Sequence, residues 1–99
     1  MKKGDSATEP VLIVEKEGAI LIVTLNRPEK RNAINSEVMC RLYDAWTKLN
    51  DDDALRVGIL TGRGNTFCAG MDLEDLKKLR GDAKQDEWAH RVLNTPDLA

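Results

Sequence analysis

A chain of 99 residues with 15 Lys plus Arg against 17 Asp plus Glu has the size of one small domain or of a piece of a larger one, with a modest core. Its 41% hydrophobic and 32% charged content excludes full disorder. The net charge of −2, with the two signs interleaved, offers no electrostatic footprint for nucleic acid or for an anionic membrane.

In chain order, residues 1–10 are polar and small and read as a flexible leader, which leaves 11–99 as the domain portion. Acids, Gly4 and Pro10 stand where a secretory signal would place an apolar run, and no segment reaches membrane-spanning length, so the expected location is cytoplasmic. Val11 to Val14 and Ala19 to Leu25 predict two strands of a hairpin that turns through Glu15-Lys16-Glu17-Gly18. The second run is apolar almost throughout, which predicts cover on both faces. Asn26 to Asn35 reads as a loop. Asn35 or Ser36 then caps a helix in which Val38, Leu42, Ala45 and Leu49, with Met39 and Trp46 beside them, follow the i, i+3, i+4 spacing as far as the acidic turn near Asp51. Arg56 to Thr61 predicts a strand closed by Gly62 and Gly64, and strand, helix, strand implies parallel pairing through a right-handed crossover.

Asp72 is placed to cap a further helix with Leu73, Leu76 and Leu79 on one face and Gly81 as its stop. Glu74 and Asp75 in its first turn and Lys77, Lys78 and Arg80 in its last match the helix dipole. A last helix is predicted from about Lys84 to Leu93, with Trp88, Ala89, Val92 and Leu93 on one side and His90 solvated. The expected fold class is α/β, a β-hairpin followed by βαβα.

Most chemical signatures fail. Gly62-Arg63-Gly64 begins like a dinucleotide fingerprint, but Phe67 stands where the third glycine belongs, and neither a phosphate-binding Gly-Lys-Ser/Thr nor a GxSxG elbow exists. Cys40, Cys68 and the single His90 match no zinc spacing, so no metal is expected and a reducing compartment is implied, with Cys68 a small core residue. What remains is Phe67-Cys68-Ala69-Gly70-Met71-Asp72-Leu73, a junction entering a helix, where small residues permit close approach and unpartnered N–H groups can receive a developing negative charge. The same residues admit a plainer reading, in which Gly70 takes a left-handed turn, Asp72 only caps and Phe67 fills the core.

Read together, the segments from about Val11 to Leu79 resemble the crotonase superfamily, the enoyl-CoA hydratase/isomerase family. The resemblance rests on Leu25-Asn26-Arg27-Pro28 ending the hairpin, Arg31-Asn32-Ala33-Ile34-Asn35 after it, then the helix, Leu60-Thr61-Gly62 and Phe67 to Leu73, in that order and spacing. It implies the N-terminal part of a crotonase-like fold built of ββα-type units, and acyl-CoA thioester binding with enolate stabilisation, as in hydration of a 2-enoyl-CoA or double-bond isomerisation.

By the same resemblance, Ala33, Ala69, Gly70, Met71, Asp72 and Leu73 are implied contacts for adenine, phosphopantetheine and thioester, and Lys30 and Arg31 implied partners of the CoA phosphates. The implied catalytic group is the backbone N–H of Met71, the first oxyanion donor. Coenzyme A is part of the substrate, so no separate cofactor is implied. A nucleic-acid or membrane partner is not expected, because the charge pattern carries no basic stripe, and the family's trimer-based assemblies imply a homo-oligomer. The family's second oxyanion donor and its hydratase carboxylates lie further along than Ala99, so these residues alone are expected to be inactive. The alternative is a non-catalytic, truncated CoA-binding or assembly module.

Overall fold

The computed structural model describes residues 9–81 and 86–95. Leu12–Glu17 (β1) and Ile20–Leu25 (β2) pair antiparallel from Leu12 opposite Leu25 to Glu17 opposite Ile20, so Gly18 and Ala19 alone form the turn. Glu15, Lys16 and Glu17 therefore belong to the strand, a correction to the turn expected there. Their polarity reflects the place of β1 at the sheet edge, where charged side chains stand in solvent and discourage further pairing.

Asn35 caps the long helix Ser36–Asp51 (α1), its side-chain oxygen accepting the Val38 N–H at 2.9 Å. After α1 the chain returns as Val57–Gly62 (β3), parallel to β2 from Ile20 opposite Val57 to Leu25 opposite Gly62, and the sheet order is β1-β2-β3. The expected βαβ crossover is thus present. Leu12, Leu21, Val23, Leu25 and Leu55 meet Val38 and Ala45 of α1 in the core, with Leu42, Trp46 and Leu49 packed against them. Because α1 covers one side of the sheet only, β2 buries Leu21, Val23 and Leu25 while Ile20, Ile22 and Thr24 stay half-buried, so the expectation of cover on both faces is not met. At the opposite edge from β1, Val57, Ile59 and Leu60 of β3 are exposed.

Leu73–Leu79 (α2) begins at Asp72 and is followed by Gly81 in a left-handed conformation, φ 84°. Its stripe is incomplete: Leu76 and Leu79 are half-buried, but Leu73 is 76% exposed. Glu87–Leu93 (α3), capped by the Asp86 side chain, packs on α1 through Ala89 and Val92. There the Arg41 guanidinium lies 5.1 Å from the centre of the Trp88 ring and Arg91 makes two contacts with Asp44, at 2.6 and 3.3 Å. His90 is exposed as expected, whereas Leu93, expected on the packed side, is also exposed. The predicted helix start at Lys84 and residues 1–8 of the leader lie outside the described residues. Cys40 and Cys68 are both free, and burial pushes the Cys40 thiol up. Among the described residues no helix is long and apolar enough to cross a membrane.

Candidate functional site

Beyond β2 the loop makes one 3-10 turn, Pro28–Lys30, and then two successive left-handed residues, Arg31 at φ 53° and Asn32 at φ 57°. Such angles are strained for side-chain-bearing residues, although asparagine tolerates them best. What holds them is the Asn32 carboxamide, which is 1% exposed. Its oxygen accepts the Arg27 N–H at 2.8 Å, and its nitrogen donates to the carbonyls of Arg63 and Thr66 at 2.9 and 2.7 Å. The loop after β2 is thereby fastened to the loop after β3. Gly62 leaves room for the crossing, since a Cβ there would sit 2.5 Å from the Phe67 carbonyl oxygen and 2.8 Å from the Asn32 nitrogen.

Further along, the two loops run side by side. The Ala69 N–H donates to the Arg31 carbonyl at 3.0 Å, the Ile34 N–H to that of Gly70 at 2.8 Å, and the Asp72 N–H to that of Ile34 at 2.9 Å. Ile34 and Met71 form a parallel bridge, the bonded groups being those of Gly70 and Asp72 on either side of Met71. In this pattern the Met71 N–H points away from Ile34, and among the described residues it has no acceptor. Gly70 reaches the bridge at φ 103°, a region that disfavours any side chain. Lys30, Ala33, Ala69, Met71, Asp72, Leu73 and Glu74 line an open groove of about 490 Å³ across the junction.

Asp72 works from both of its oxygens. One accepts the N–H groups of Glu74 and Asp75 at 2.9 and 3.3 Å and so starts α2, and the other receives the Arg27 guanidinium at 3.2 Å. Burial pushes the Asp72 carboxyl up, but Arg27 and the amides of Asp75 and Glu74 together outweigh it and hold the group below its ordinary value of 3.8. A carboxylate depressed in this way contributes stability that is present above the ordinary value and is lost as pH falls through the lower, folded-state value. Asp72→Asn keeps a cap but gives up the charge, so the gap between its urea midpoint and the parent's should be widest above about pH 4 and close steadily below it. Asp75 lies in the first turn of α2, as the sequence placed it, and is in addition buried, its two oxygens 2.9 and 2.8 Å from the Ser36 hydroxyl that donates to them.

Of the residues singled out by sequence, the groove gathers Lys30, Ala33, Ala69, Met71, Asp72 and Leu73. Gly70 shapes the turn between two of them, and Arg31 enters through its backbone carbonyl with its side chain outside the lining. Phe67 is 56% exposed and does not fill the core, because Asn32 and the Gly62 crossing occupy the space beneath its loop. Cys68 is partly buried against the core, and its sulfur accepts the Gly70 N–H at 3.4 Å. Sequence reasoning missed Arg27, Asn32 and the Ser36–Asp75 pair. Only Asn32 carried a local sign, its type's tolerance of left-handed angles.

The model of the enoyl-CoA hydratase/isomerase family matches residues 15–97. Enoyl-CoA hydratase EchA19 of Mycobacterium tuberculosis is 46% identical over 78 residues, which are 78% of this chain and 29% of that protein. A mevalonyl-coenzyme A hydratase of Aspergillus fumigatus is 47% identical over 80 residues, 81% of this chain and 28% of the relative. Among solved structures, an enoyl-CoA hydratase from Mycobacterium tuberculosis superposes with a TM-score of 0.69 at 48% identity, covering 71% of this chain and 28% of that one. The chain thus spans less than a third of the length of these relatives.

Proposed function

The chain belongs to the enoyl-CoA hydratase/isomerase family, and from that premise we propose that its groove binds an acyl-CoA thioester and that the Met71 N–H stabilises the oxyanion of a developing enolate. The observation that carries this reading is the Met71 amide. Its neighbours on both sides are bonded to Ile34, while its own N–H is held in place with no intramolecular acceptor among the described residues. A thioester oxygen set against it takes a hydrogen bond that strengthens as charge moves onto oxygen, so the donor favours the transition state over the bound substrate.

Around that donor the other residues have supporting parts. Lys30, with Arg31 beside it, supplies positive charge for the CoA phosphates. Ala33, Ala69 and Gly70 let a pantetheine chain lie close to backbone, Leu73 offers apolar surface, and Asp72 fixes the turn. Coenzyme A enters as part of the substrate, so this reading needs no separate cofactor. Hydration of a 2-enoyl-CoA or double-bond isomerisation in a longer polypeptide, a trimer-based assembly and a cytoplasmic location belong to the same proposal.

Titration of the ¹⁵N-labelled chain with butyryl-CoA, a saturated thioester that cannot be hydrated, tests it. Amide shifts are expected at Ala33 and from Ala69 to Leu73, largest at Met71, and unmoved amides at saturating thioester would overturn the assignment. The 99 residues by themselves should show no hydratase-level turnover of crotonyl-CoA. One donor without a second, and without acid/base carboxylates, forgoes about 100-fold or more for each missing group. Turnover at the level of a complete hydratase would contradict this.

A further inference from the structure

Arg27 stands outside the groove lining yet bonds two of the residues that form it. It lies two residues beyond the end of β2, is 9% exposed, and spreads its guanidinium between two groups: one nitrogen donates to the Ala33 carbonyl and the other pairs with Asp72 at 3.2 Å. Ala33, on the loop after β2, and Asp72, at the start of α2, both line the groove. Three backbone bonds, from the N–H groups of Ala69, Ile34 and Asp72, fix how far apart the two segments run, and none of them engages the N–H of Met71. Any rotation of the Met71 segment about its own axis would swing that N–H. The Asp72 side chain resists it, because that carboxylate is tied to Arg27 on one oxygen and to the first turn of α2 on the other.

We propose that Arg27 is a positioning residue: its forked guanidinium, bonded to Ala33 and Asp72 at once, sets the angle at which the Met71 N–H faces the groove. The role rests on the reading of Met71 given under Proposed function. Planarity is the essential property, since a fork can serve two acceptors at a fixed angle whereas an ammonium acts as a point charge. Lysine should therefore keep part of the attraction to Asp72 and lose the angle.

The test uses the ¹⁵N-labelled chain with Arg27→Lys and Arg27→Gln. Without ligand, Arg27→Gln should speed hydrogen exchange of the Asp72, Glu74 and Asp75 amides about tenfold or more relative to the β1–β2 hairpin, with Arg27→Lys between it and the parent. With butyryl-CoA, Arg27→Lys should lose most of the Met71 amide shift while the shift at Ala33 persists, a split that general loss of stability does not produce. Parental exchange and parental Met71 shifts in both variants would overturn the proposal. So would equal loss of hairpin protection in both, because Arg27 would then hold the fold and not the groove. Should butyryl-CoA leave Met71 unmoved in the parent, the thioester reading falls and with it the positioning role. The ligand-free exchange would still separate that failure from a fault in the Arg27 strap itself.

Discussion

In a turnover-competent polypeptide carrying these residues, Met71→Pro should lower turnover about 100- to 1,000-fold while Met71→Ala stays near the parental rate. The contrast follows from which atom does the work. Alanine keeps the N–H and removes only a side chain that is exposed at the groove. Proline deletes the N–H outright. Because that N–H serves no acceptor within the described residues, the deletion breaks no hydrogen bond among them, and the structural cost comes from proline fixing its own φ within the bridge to Ile34 and restricting Gly70 before it. Circular dichroism and thermal melting of each variant separate that cost from the chemistry. A proline variant with a parental melt and near-parental turnover would remove Met71 from the oxyanion role.

The largest loss of stability from a single near-isosteric change should come from Asn32→Asp. The substitution keeps the shape of the side chain but turns its donating nitrogen into an oxygen that faces the carbonyls of Arg63 and Thr66. Both carbonyls lose a partner and a carboxylate oxygen is set against them at the buried Asn32 position, and each such loss costs about 1–3 kcal/mol, so a total above about 2 kcal/mol is expected. Asn32→Gly is the informative companion. It relieves the strain at φ 57° but surrenders all three bonds, and should still unfold at lower urea than the parent. Urea melts in which both variants match the parent would show that the carboxamide does not hold the loops.

The parts legible in the sequence were those whose chemistry is local. The caps at Asn35 and Asp72, the spacing of Val38, Leu42 and Ala45, and the parallel return of β3 all depend on residues a few positions apart or on the order of elements. Glu15 to Glu17 misled because polarity marks an exposed edge strand as readily as it marks a turn. Leu73 misled for the opposite reason: a periodic apolar position says which face a residue shares, not whether anything covers it. In the candidate site, Asn32 with Thr66, Ser36 with Asp75 and Arg27 with Asp72 are separated by 34, 39 and 45 positions, and no spacing rule reaches that far. Met71 lay between, since its local signal suited a capped turn as well as a donor and the resemblance of the whole run favoured the donor.

Those separations also bear on the order of events in folding. The hairpin closes over a two-residue turn and can form by itself, on the microsecond scale typical of such elements. The bonds that join the two loops span 31 to 45 positions and can form only after α1 has carried β3 back to β2. The groove is therefore assembled late, and by the same logic it belongs to the part of the molecule that opens first in sub-global fluctuations. A ligand lying across both loops would clamp that part in particular, lengthening the lifetime of its closed state while the hairpin breathes as before.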